Sequence, residues 1–158
     1  MAALKNAFFD TSVLVAGMVD LGDDSEAALK VLDAIADGRI EGPGTAWHCC
    51  LEFFSVTTRL PEEYRLEPET ALRFLREEIL PRFAVLQLPE AAYLDFLTVA
   101  VGDAASGGRI YDAHIAEVAR RSGAPIVVTD NRRHFTSLMR HGVRVLDSAE
   151  LAEELGGR

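Results

Sequence analysis

Ala124-Pro125-Ile126-Val127-Val128-Thr129-Asp130-Asn131 is the most strand-like stretch of the chain. Three β-branched residues in a row, opened by a proline and closed by Thr-Asp-Asn, read as a short strand buried on both faces, the kind found inside a parallel sheet. Ala7-Phe8-Phe9, stopped by Asp10-Thr11-Ser12, has the same form, and Ala84–Leu88 and Val143–Leu146 add two more strand-like runs. Between them the apolar residues recur at helical spacing. Thr11 and Ser12 are placed to cap a helix that begins at Val13-Leu14-Val15-Ala16. Asp24-Ser25 opens a second helix, with Ala28, Leu29, Leu32, Ile35 and Ala36 on one side and Gly38 at its end.

The spacing predicts further helices over about 45–60, 68–79, 89–101, 110–121, 135–140 and 148–155. In the first of these, Leu51, Phe54, Ser55 and Thr58 follow the 3.6-residue period, which sets Glu52 beside the inward stripe. Strands that alternate with helices give an α/β fold: a mostly parallel central sheet of about four strands flanked by helices in three layers. No repeat and no Pro-, Gly- or Ser-rich linker divides the chain, so residues 1–158 are expected to form a single domain.

With 158 residues and 49% apolar content, the chain is long enough to bury a real core. Its apolar runs are far too short to span a bilayer, and its first residues lack the form of a signal peptide. The two cysteines, Cys49 and Cys50, are adjacent and read as buried free thiols rather than as a disulfide or a zinc site. A cytoplasmic protein is expected. The formal net charge of −9 excludes a surface that is basic throughout. Between Val118 and Leu146, however, Arg120, Arg121, Arg132, Arg133, Arg140 and Arg144 face a single acid, Asp130. Such a cluster suits a solvated face or a phosphate backbone.

Four carboxylates stand where strand ends or apolar helix sides would bring them together: Asp10, Glu52, Asp112 and Asp130. Each has an ordinary structural role available. Asp10 could cap a helix, Asp112 lies in the first turn of a helix, and Asp130 could begin an Asx-turn. Glu52, flanked by Cys49, Cys50, Phe53 and Phe54, is harder to explain without a partner or a metal. Gathered at the carboxyl end of a parallel sheet, these acids would repel one another unless a cation or raised pKa values relieved them.

In order and spacing, the segments FFDTSVLVA (8–16), LEFFSVTTR (51–59), GGRIYDAHIAEVAR (107–120) and VVTDNRRHF (127–135) resemble those of the PIN-domain nucleases, and in detail the VapC-type toxins of bacterial toxin–antitoxin pairs. The likeness spans nearly the full length. It implies an endoribonuclease dependent on Mg2+ or Mn2+, with Asp10, Glu52 and Asp112 holding the metal and a metal-activated water attacking the phosphorus in line to leave a 5′-phosphate and a 3′-hydroxyl. Thr11, Ser12 and Thr129 would then orient the acids or the bound waters. The family's fourth position falls two residues after Thr129, at Asn131, whereas Asp130 comes one residue early; either could face the site. Arg132 and Arg133 are candidates for the substrate backbone. His48, four residues before Glu52, shares its helix face; His114 should point about 200° away from Asp112, and His134 merely precedes a core phenylalanine, Phe135.

An RNA substrate, a cognate antitoxin and a homodimer are implied, the last also from apolar residues such as Leu72, Phe74, Leu75 and Ile79. A housekeeping nuclease and a PIN module that binds RNA or a partner without cutting it are the alternatives within the fold. A haloacid-dehalogenase-type phosphotransferase also opens on a strand ending in aspartate. Here, though, the second aspartate of its D-x-D motif is Ser12, and the only lysines are Lys5 and Lys30.

Overall fold

The computed structural model describes residues 2–157. Five strands form one all-parallel sheet: β2 (Phe8–Phe9), β4 (Gly44–Ala46), β5 (Ala84–Leu86), β6 (Ile126–Val128) and β7 (Arg144–Leu146), in the order β5-β4-β2-β6-β7. β1 (Leu4–Lys5) and β3 (Ile40–Glu41) make a separate two-residue parallel ladder. The three central strands are buried along their whole length, and the two edge strands only in part. This explains why Phe8-Phe9 and Ile126–Val128 are apolar without alternation.

The sheet has one strand more than expected. The extra strand is β4, where a helix beginning near Thr45 was anticipated. Gly-Thr-Ala carries little strand signal of its own, and β4 is held instead by its neighbours. Gly44 N–H donates to the Ala7 carbonyl, and the buried Thr45 hydroxyl donates to the Phe9 carbonyl at 2.8 Å.

The helices are α1 (Thr11–Met18), α2 (Asp23–Ala36), α3 (Trp47–Thr57), α4 (Pro68–Phe74, continued by a π-turn over Leu75–Ile79), α5 (Tyr93–Gly102), α6 (Arg109–Arg121) and α7 (Ser148–Gly156). Short 3-10 turns lie at Glu90–Ala92, Arg132–His134 and Thr136–His141. α2 packs on both α1 and α7, α3 on α1 and α4, and α5 on α6. Gly17 allows α1 to lie close on α2: a Cβ there would come within 2.3 Å of Leu32 Cδ1.

Two helix faces differ from the sequence reading. α3 buries Cys49, Cys50, Phe53 and Thr57, while Leu51 and Phe54 face outward. In α4 and its π-turn, Ile79 is fully buried and Phe74 and Leu75 are half-buried, so of the apolar residues expected to face a partner only Leu72 is exposed. Further exposed apolar residues gather on α3 and α5, at Trp47, Leu51, Tyr93, Leu94, Leu97 and Val101. Among the described residues, no helix is long and apolar enough to cross a membrane.

The strand order fixes where a site can form. From β2 the chain moves to β4 and then β5 on one side; it returns past them to β6 and continues to β7 on the other. The crossovers therefore diverge between β2 and β6. The crevice beyond the carboxyl ends of those two strands is the topological switch point, where ligands bind in open α/β sheets.

Candidate active site

Asp10 follows β2 and Thr129 follows β6, directly at that crevice. The Asp10 N–H donates to the Val128 carbonyl and that of Thr129 to the Leu146 carbonyl, each completing a ladder at its end. Asp10 is only 4% exposed and precedes α1, yet its carboxylate makes no capping bond to that helix. Its Oδ2 instead accepts from Thr129 Oγ1 at 2.8 Å and from Ser12 Oγ at 3.1 Å. The same hydroxyls brace the loop after β6: Ser12 Oγ accepts from the Asp130 N–H and Thr129 Oγ1 from the Asn131 N–H, both at 3.0 Å.

Burial pushes the Asp10 carboxyl above the usual aspartate range, and the charge of Glu52 adds to the rise. Hydrogen bonds from the Thr129 hydroxyl, the Thr11 backbone N–H and the Ser12 hydroxyl offset part of it. Beneath it, burial and the Asp10 charge drive the Cys49 thiol up to about 12.

Glu52 reaches the same place from the middle of α3. Its two oxygens are engaged separately, Oε2 by Thr11 Oγ1 at 2.9 Å and Oε1 by His48 Nε2 at 3.0 Å. His48 is itself stacked on Tyr111 and meets His114 edge-on, with ring centroids 5.3 and 5.4 Å apart. His114 thus stands behind His48 and does not reach an acid; burial and His48 hold its pKa below the usual histidine value. Asp112 arrives from the first turn of α6 and is held by His134 Nδ1. Arg133 Nε donates to His134 Nε2, which leaves Nδ1 as the nitrogen that bears the proton and donates to Asp112.

Asp10, Thr11, Ser12, Glu52, Asp112 and Asn131 line one cleft of about 270 Å³, walled by Val15, Ala16, Leu21 and Val56. Asp130 is not among them. Its two oxygens accept from the backbone N–H and the hydroxyl of Ser148, at 3.0 and 3.1 Å, so its carboxylate is turned toward the start of α7. Asn131, not Asp130, occupies the cleft's fourth polar corner. Arg132 is likewise turned away and pairs with Glu150 at 2.8 Å. Arg133 and His134 line a second, open cleft that shares Asp112 with the first. Sequence reasoning missed His134, because its link to Asp112 joins residues 22 positions apart and leaves no local signal.

Three carboxylates, an amide and two hydroxyls, with no lysine or arginine among the lining residues, form an all-oxygen donor set that suits a hard divalent cation. Among the described residues, no three His, Cys, Asp or Glu side chains already converge at ligating distance. Their present partners account for this: Glu52 is drawn onto Thr11 and His48, and Asp112 onto His134. Mg2+ normally takes one or two carboxylates directly and keeps several waters, which fits so loosely gathered a set.

The PIN domain family model matches residues 7–138. The chain belongs to the PIN-domain family. It is similar to the ribonuclease VapC40 of Mycobacterium tuberculosis, with 30% identity over 123 residues covering 78% of this chain and 85% of that protein. Among solved structures, PAE2754 from Pyrobaculum aerophilum superposes with a TM-score of 0.62 at 24% identity, over 97% of this chain and 90% of that one. VapBC-1 from nontypeable Haemophilus influenzae superposes with a TM-score of 0.60 at 14% identity, over 90% of this chain and 97% of that one. Both likenesses concern the fold.

Proposed function

We propose that this chain is a Mg2+- or Mn2+-dependent endoribonuclease, the toxin member of a VapC-type toxin–antitoxin pair. The observation that carries the proposal is the convergence of Asp10, Glu52 and Asp112, borne by β2, α3 and α6, on one cleft at the switch point. A divalent ion held there by these acids would supply a more acidic water and offset charge on the phosphate oxygens. The chain's own residues hold the acids in register. Thr129 and Ser12 fix Asp10, Thr11 and His48 fix Glu52, and His134 fixes Asp112. Asn131 can hydrogen-bond a water or a substrate hydroxyl without adding charge. The resemblance to a protein named ribonuclease VapC supports RNA as the substrate.

The test is incubation of labelled structured and single-stranded RNAs with the protein in Mg2+, Mn2+ or EDTA, beside Asp10→Asn. The expected result is metal-dependent cleavage that falls about a thousandfold in the variant. Well-folded protein that cuts nothing with either metal would defeat the proposal and leave a binding module.

A cytoplasmic setting and an antitoxin partner belong to the same reading. An antitoxin arginine placed in the cleft would make charge-assisted hydrogen bonds with the acids. A homodimer is supported by the exposed Trp47, Leu51 and Tyr93, which line one depression, with Leu94, Leu97 and Val101 further along α5. Light scattering should give twice the chain mass at micromolar concentration, and Leu51→Glu should halve it. A monomeric parent protein would end that part of the reading.

A further inference from the structure

The chain carries a net −9, so a polyanion can settle only where positive charge is both concentrated and unspent. Most of the arginines in the basic segment are spent. Arg120 and Arg121 pair with Glu117, Arg132 with Glu150 and Arg144 with Glu154. Arg109, Arg133 and Arg140 differ. All three are exposed, and among the described residues none forms an ion pair with a carboxylate. Arg133 uses only Nε, toward His134, and Arg140 only Nε, toward the Ser137 carbonyl at 3.4 Å. The terminal guanidinium nitrogens remain available.

These three arginines come from different elements, the start of α6 and the two 3-10 turns after β6, yet they line one open cleft of about 810 Å³. Asp103 and Asp112 are its acids. Asp112 and His134 lie on this cleft's wall, and Asp112 also lines the acid cleft, so the basic groove opens directly onto the candidate active site. We infer that Arg109, Arg133 and Arg140 form the track on which one flank of a single-stranded RNA lies as its scissile phosphate meets Asp10, Glu52 and Asp112. Planar guanidiniums bind phosphate oxygens two at a time, which suits a backbone passing over them without regard to sequence. The inference rests on the ribonuclease reading above, and it moves the substrate contact from Arg132, which faces Glu150, to Arg109 and Arg140.

Binding can be measured without cleavage by fluorescence anisotropy, using a labelled mixed-sequence single-stranded RNA, the Asp10→Asn protein in Mg2+, and a series of salt concentrations. Adding Arg109→Gln, Arg133→Gln and Arg140→Gln together should weaken binding at least roughly tenfold and lower the slope of log K against log salt by about 2, the counterions of three phosphate contacts on a single strand. Each single change should give about a third of that slope, with the melting temperature unchanged because all three side chains are exposed. Arg132→Gln and Arg144→Gln, which remove arginines already paired, should leave Kd and slope as they were.

If wild-type protein cleaves RNA but the triple variant binds it as tightly and with the same slope, the track is refuted and the nuclease stands. An equal loss from the Arg132 and Arg144 changes would also refute it, by showing a diffuse field instead of a groove. If the parent neither binds nor cleaves, the track falls together with the ribonuclease reading.

Discussion

The two ends of the acid cleft are built differently. Asp10 is rooted in the sheet: it follows a buried central strand, is 4% exposed, and receives two hydroxyl donors, from Thr129 after β6 and from Ser12 at the start of α1. Asp112 stands on the first turn of a helix, with about a third of its side chain in solvent, and its partner is a histidine on a 3-10 turn. The sheet-borne end is preorganised and costs burial energy; the helix-borne end is adjustable and costs little. A site made this way can keep one acid fixed while another moves to meet its ligand.

The largest effect should come from the buried end. Because burial raises the Asp10 pKa, folded protein holds that proton more tightly than unfolded protein does. The corresponding stability is therefore present at low pH and is lost as pH rises from the ordinary value of 3.8 through the raised folded value. Measured by urea unfolding in EDTA, the wild type should lose stability across that interval, and Asp10→Asn should lose less and be the more stable protein at neutral pH. Mg2+ should raise the melting temperature of the wild type but not of the variant. Equal pH profiles would mean that Asp10 is not strained by burial.

Next in size is a contrast between the two supports. Thr129→Val removes the donor to Asp10 Oδ2 and the acceptor for the Asn131 N–H inside the fold. It should cost about 1–3 kcal/mol of stability and roughly a hundredfold in cleavage. His134→Ala at the exposed end should cost about tenfold in cleavage and shift stability by no more than about 0.5 kcal/mol. If the histidine change proved the more damaging, the order of rigid and adjustable ends would be reversed.

What could be read from the sequence follows the same division. Phe8-Phe9 and Ile126–Val128 announced themselves because central parallel strands are buried on both faces, and the position of Asp10 directly after one of them was legible for that reason. Gly44–Ala46 was hidden because its strand character comes from ladder partners and the Thr45–Phe9 bond. On α3 the period was sound but its phase was not, since Leu51 and Phe54 are apolar yet face outward. The choice between Asp130 and Asn131 could not be made locally. It is decided by Ser148, 18 residues on, which draws the aspartate away. His134 and Asp112 were likewise joined only by the way the 3-10 turn after β6 lies against α6.

Cys49 lies fully buried under Asp10, with its thiol held up to about 12. Almost none of it is thiolate at neutral pH, and no reagent can reach it while α3 stays packed on the sheet. The molecule therefore contains its own clock for the opening of its most rigid region: with Cys50→Ala in place to leave one buried thiol, the rate at which a thiol-specific dye labels Cys49 counts how often α3 lifts from the sheet.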